Sequence, residues 1–272
     1  MKNRIIAFCS YALFWLVFFI FARLFFILTH IYNASLETTA GLAGTFFHGI
    51  LLDISTTGYY MLLPMLAASL LIYAGSESYR VALRWYSYLL IFFSSLIIVS
   101  DTSLYTYWGY RMDYTPLFYL KTPGAAIASV STFKLIVLVL AFLLISGIFI
   151  FLYKRIIDPR FGRFERITEL RRHVPATLFF LLLTGALIIP IRGGFGIAPI
   201  NAGSVYFSNR MFLNHSAINP IWNVGTTAFT SKPVSNPYEY IADSQADSIM
   251  HKLEVKNDSL PACYLKTERP NI

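Results

Sequence analysis

Charge is scarce in this chain. Of its 272 residues only 13% are Asp, Glu, Lys or Arg, roughly half the share that a soluble domain carries. That is too little charge to cover the surface of a water-soluble globule, and a soluble class is excluded before any motif is read. Cysteine is nearly absent as well: Cys9 falls inside an apolar run and Cys263 in a polar tail, so neither a disulfide framework nor a thiolate metal site is present. Acidic residues number 14 against 22 basic ones, giving a net charge of +8. The basic residues concentrate in short stretches between apolar runs, where they act as topology determinants; a nucleic-acid partner is not implied. Also missing are a nucleophile elbow, a Walker loop, an HExxH zinc motif and paired-Cys spacing. The residues alone give no catalytic group and no metal ligand.

What the sequence does contain is hydrocarbon. Hydrophobic residues make up 56% of the chain, aromatics 17%, and the mean hydropathy is +0.58. A helix needs about 20 mostly apolar residues to cross a bilayer. Five runs qualify: residues 5–28, 46–73, 81–104, 133–153 and 174–191, the last ended by Pro190 and the Gly193–Gly194 pair. The fold class expected is therefore an all-α membrane protein with about five transmembrane helices over 1–191. A juxtamembrane segment and linker would follow over 192–238, and an extracytoplasmic helix over 239–272. Within that scheme 211–222 reads as a short amphipathic element lying along the interface, 232–238 as a Pro-containing linker, and 240–253 as a helix. The chain stops at 266–272, where a new apolar run is beginning, which reads as a cut.

Loop charge sets the orientation. The N-terminus carries Lys2 and Arg4, the second connection Arg80 and Arg84, and residues 154–173 carry Lys154, Arg155, Arg160, Arg163, Arg166, Arg171 and Arg172. The opposite loops, 29–45 and 105–132, hold only Arg111 and Lys121. The positive-inside rule then puts the N-terminus in the cytoplasm and the C-terminus outside, in the cytoplasmic (inner) membrane.

Ionisable residues inside apolar runs are costly and need a partner or a function. Arg23, Asp53 and Asp101 all fall at similar depth near the outer ends of their runs, and Arg111 and Asp113 follow in the loop beyond. Two readings stand: an Arg–Asp pair that fixes helix packing, or a polar pocket that holds a lipid headgroup. Arg23 is equally able to meet Asp53 or Asp101. Above the membrane, Arg192, Asn201, Asn214 and His215 form a polar juxtamembrane set, with His215 beside Asn214 read as structural. A complete non-enzymatic scaffold or assembly protein is one alternative. A small transporter is disfavoured, because the ionisable residues cluster on one side and no interrupted helix pair repeats.

Several stretches together resemble the membrane portion of the lipoteichoic-acid-synthase-like phosphoglycerol transferases, within the alkaline phosphatase and sulfatase superfamily. They are GILLDIS at 49–55, Asp101 with Tyr105 and GYRMD at 109–113, RGGFGIAPIN at 192–201, YFS at 206–208 and FLNHSAINP at 212–220. The resemblance implies five helices, a juxtamembrane linker and an extracytoplasmic α/β domain whose first strand opens much like RPNI at 269–272. It further implies that the divalent metal and nucleophile of such an enzyme reside in that downstream domain, which this chain does not include. The partners implied are a phosphatidylglycerol-like membrane phospholipid and the chain's own downstream catalytic domain.

Overall fold

Apolar runs in a bilayer must satisfy every backbone group internally, so they form helices. The computed structural model describes residues 2–70, 76–121, 124, 130–162, 170–230 and 241–254. The residues expected as a linker at 232–238 and the chain end from 255 onward lie outside these. Among the described residues there is no strand, and five helices are long and apolar enough to cross a membrane: Lys2–Thr29, Thr39–Leu70, Glu77–Trp108, Thr132–Phe161 and His173–Arg192. The protein is an all-α, multi-pass membrane protein.

In chain order the helices are α1 (Lys2–Thr29), α2 (Ile31–Ser35), α3 (Thr39–Leu70), α4 (Ser76–Trp108) and α5 (Thr132–Leu152). A π-turn (Tyr153–Ile157) carries α5 into α6 (Asp158–Phe161); α7 (Leu170–Ala186) and α8 (Ile188–Arg192) form the fifth span. Then come α9 (Met211–Ala217) and α10 (Pro220–Thr230), and, in a separate unit, α11 (Asp243–Glu254), which opens with an acidic residue that complements its N-terminal dipole.

α3 is the hub. It packs against α1, α7, α8 and α9, while α4 packs on α5. The spans show the pattern expected in lipid: on α5 only Ile145, Ser146 and Phe149 are buried, while Leu140, Leu143, Leu144 and Phe151 face outward. The buried centre is aromatic. Trp15 meets Tyr60 and Phe18 meets Phe149 edge-on, each at 4.6 Å between ring centres. The phenols of this centre find partners across helices, the buried Tyr11 with Ser87 at 3.0 Å and the half-buried Tyr60 with Ser94 at 2.7 Å.

Helix limits depart from the apolar runs for local reasons. α3 starts at Thr39, well before residue 46, because Thr38 caps it: its Oγ1 accepts from Gly41 N at 3.1 Å. Pro64 sits inside α3 without breaking it. The Tyr60 carbonyl, which loses its i+4 donor to the proline ring, accepts instead from Tyr86 Oη at 3.1 Å. Pro190 does not end the fifth span. The irregular step falls three residues earlier at Leu187, and the helix stops at Gly193, whose φ of +84° is the left-handed cap that glycine accepts.

The stretch 211–222 is not one surface element. It is two helices separated by Ile218 and Asn219, and Phe212 through Trp222 are buried in the end of the bundle formed by Arg23, Asp53 and the α8 terminus. We call this the capped end. At the opposite, basic end, the buried Asp158 accepts from Arg80 Nε at 3.0 Å and Arg84 Nε at 2.8 Å, joining α6 to α4.

Candidate functional site

At the capped end Arg23 of α1 and Asp53 of α3 meet as two forks. Nη1 donates to Oδ2 at 2.8 Å and Nη2 to Oδ1 at 3.0 Å, with both side chains essentially inaccessible. The rest of the guanidinium is also engaged. Nε donates to the Ser216 carbonyl at 3.1 Å and Nη2 to the Ala217 carbonyl at 3.3 Å. Those carbonyls belong to the last turn of α9, where no helical N–H reaches them and the helix dipole is negative. Every nitrogen of Arg23 thus has an acceptor.

Asn219 completes this cluster. Its Nδ2 donates to Asp53 Oδ1 at 2.9 Å, while its Oδ1 accepts from the backbone N of Ile221 at 3.0 Å and Trp222 at 3.1 Å, capping α10. Trp222 Nε1 then donates to Ser55 Oγ at 3.1 Å, and Ser55 donates onward to the Ile191 carbonyl at 2.7 Å. The close approach depends on a glycine. A Cβ at Gly49 would stand 2.6 Å from the Ala217 carbonyl and closer still to Arg23 Nη2.

A second ion pair lies beside the first. Asp101, near the end of α4, accepts from the Met112 backbone N at 2.8 Å through Oδ1, and its Oδ2 lies 2.9 Å from Arg111 Nη2. Arg111 lies over the face of Phe26, 3.9 Å from the ring centre. Its Nε and Nη1 are buried and meet no acceptor among the described residues, and Asp101 Oδ2 lacks an aligned donor. Burial pushes the Arg111 guanidinium below the ordinary arginine value, and the carboxylate of Asp101 offsets this only in part.

Two imidazoles flank Arg111. His215 Nδ1 and Tyr105 Oη are 3.1 Å apart, and His30 Nδ1 lies 2.9 Å from the Phe26 carbonyl. Burial holds His215 below the ordinary imidazole value, and the positive Arg111 adds to the effect. His30 is lowered chiefly by burial too, although its bond to the Phe26 carbonyl opposes this.

The sequence-derived residues therefore divide. Arg23 pairs with Asp53, and Asp101 with Arg111. Asp113 stands apart from both: its Oδ1 accepts from Thr115 N at 2.9 Å and starts the 3₁₀ turn Thr115–Lys121. Arg192 is exposed and donates to the Ile197 carbonyl of its own loop, and Asn201 caps the turn Ala202–Val205. Asn214 is buried but serves a loop, accepting from Phe207 N and Ser208 N at 3.0 Å each. His215 alone of the juxtamembrane set reaches the second pair, through Tyr105. Sequence reasoning gave no site role to Asn219, Ser55, Tyr105 or His30, although the first three fall within stretches it singled out. The Asn–Pro step at 219–220 was the readable signal, since Asn before Pro favours a cap or turn.

Among the described residues no group of three His, Cys, Asp or Glu is close enough to hold a metal ion. Compared with family models, curated proteins and solved structures, the chain finds no match in any of the three.

Proposed function

We propose that this chain is the membrane anchor and lipid-presenting domain of a phosphoglycerol transferase or sulfatase-type enzyme, acting at the outer face of the cytoplasmic membrane. It carries no catalytic residue of its own. One observation supports this above all others: residues 192–230 are fixed to the spans by buried bonds to Arg23, Asp53 and Ser55. A plain tether needs no such attachment. A platform that holds a downstream domain at constant height over the bilayer does. The basic residues Arg80, Arg84, Lys154 and Arg155 at the other end support a cytoplasmic N-terminus, with the capped end outside.

The divalent metal of such an enzyme belongs to its catalytic domain, and no ligand set for it is assigned in this chain. The test is to express the chain with and without the reading frame that follows it in the genome. Both forms are assayed for metal-dependent release of diacylglycerol from phosphatidylglycerol. Activity in the longer form alone is the expected result. Activity in the 272-residue chain, or a stop codon directly after Ile272 with a stable product, refutes the anchor reading in favour of another role.

A further inference from the structure

The two Arg–Asp pairs differ in one respect that bears on ligand binding. Arg23 has an acceptor at each of its three nitrogens and spends four of its five N–H donors on them. Among the described residues Arg111 has only Nη2 engaged, by Asp101, and keeps two buried donors without partners. An unmet buried donor on a charged group forfeits more than one on a neutral group. Two such donors stand beside an aromatic face and two imidazoles, the chemistry that an oxyanion would meet.

We propose that Arg111 binds the phosphate of an acidic phospholipid headgroup, with the Phe26 face beneath it and Tyr105, His30 and His215 around it. This rests on the lipid-presenting reading above and names the residue that performs it. Three observations favour a lipid phosphate. Arg111 lies three residues past the end of α4 and His30 one past α1, the height at which headgroup phosphates sit beside a spanning helix. Asp101 already neutralises Arg111, and the negative charge of an arriving anion would oppose the burial and the Arg111 charge that hold both imidazoles low. The loop also carries a left-handed glycine: Gly109 has φ +70° and no atom near the place a Cβ would take, while Met112 is held by Asp101 on one side and by Asn223 Nδ2 at 2.9 Å on the other. A rotation of residues 109–111 at Gly109 is the movement by which the proposed site would open, with Met112 kept in place by its two bonds.

The site assignment also gives the two carboxylates opposite roles. Asp53 belongs to a saturated lock, whereas Asp101 competes with the ligand for Arg111. Replacing Asp101 by Asn keeps an acceptor for Met112 N and frees the cation.

The test uses the full chain, purified and delipidated in a sugar-headgroup detergent. It is titrated with phosphatidylglycerol, with diacylglycerol of the same chains, and with inorganic phosphate, with binding read by native mass spectrometry and by the shift in unfolding temperature. Phosphatidylglycerol is expected to bind and diacylglycerol not. Arg111→Gln weakens binding about tenfold or more, and Asp101→Asn strengthens it severalfold. Undiminished binding by Arg111→Gln overturns the site while leaving lipid presentation standing. No phospholipid binding by the parent overturns both. Inorganic phosphate binding as tightly as the lipid overturns the lipid source in favour of a free anion. Where Arg111→Gln does not fold, Asp101→Asn decides: unchanged or weaker affinity overturns the assignment.

Discussion

Asn219 and Arg23 donate to the same oxygen of Asp53, Oδ1, at 2.9 and 3.0 Å, so one carboxylate from α3 ties α1 to the segment that joins α9 and α10. A buried charge held this way is costly to orphan. Asp53→Asn leaves the Arg23 guanidinium buried without a counterion and is expected to destabilise the protein by about 3–5 kcal/mol. Asn219→Ala removes one bond and the α10 cap, at about 1–2 kcal/mol. Denaturant unfolding in detergent, followed by tryptophan fluorescence, ranks the two; equal or negligible losses refute the shared lock.

Gly49 is where α3, Arg23 and α9 come closest. The added methyl of Gly49→Ala meets the Ala217 carbonyl, part of the backbone, which has little room to give. Expected is a destabilisation of about 1–3 kcal/mol, with protease cleavage appearing within 192–230 as that segment lifts. Gly147→Ala is the control. Its Cβ would meet nothing within 4 Å, so the helix gains propensity and loses no packing. Cleavage patterns that match between the two variants would falsify the close-approach argument.

The flanking imidazoles predict an acid-side loss of stability. His215 and His30 are held below their ordinary value near 6.5 in the folded protein, so on acidification the unfolded chain takes up protons first. The stability they contribute is full above about pH 6.5 and drains away as pH falls toward their folded values. The groups facing His215 are Tyr105 and Arg111, and those acting on His30 are Arg111 and Asp101. The unfolding temperature is expected to drop between about pH 7.5 and pH 5.5. His215→Gln flattens that slope, and adding His30→Gln flattens it further. An unaltered slope in the double variant removes these residues as the cause.

How much of this was legible beforehand varies with the physics involved. The five spans follow from apolar length alone, and the clustering of Arg23, Asp53 and Asp101 at one level follows from counting residues to the run ends. Which Arg meets which Asp does not, because helix rotation and neighbour order leave no trace in hydropathy. The burial of 211–222 was hidden for a related reason. Its Asn, His and Ser side chains look solvent-facing until their partners are known. Asn214 turns inward to hold its own loop, and Asn219 to reach Asp53. Thr38 as the cap of α3 carried a local signal, and the early start of that helix was readable in principle.

At the basic end Asp158 makes the same kind of junction under different conditions, and the comparison separates burial from charge. It accepts from Arg80 and Arg84 together, yet those arginines keep 25% and 29% of their side-chain surface exposed, whereas Arg23 keeps 2%. When Asp158 becomes Asn, the two guanidinium groups can extend toward water along their apolar stems. When Asp53 becomes Asn, Arg23 has no such route. Asp158→Asn is therefore expected to cost about 1–2 kcal/mol, less than Asp53→Asn. Its effect should also shrink as salt rises from about 0.05 to 0.5 M, since exposed pairs are screened, while the Asp53→Asn loss stays constant. Paired unfolding curves for the two variants at both salt concentrations test this. A salt-independent Asp158→Asn loss as large as that of Asp53→Asn would mean that the basic end is as tightly sealed as the capped one.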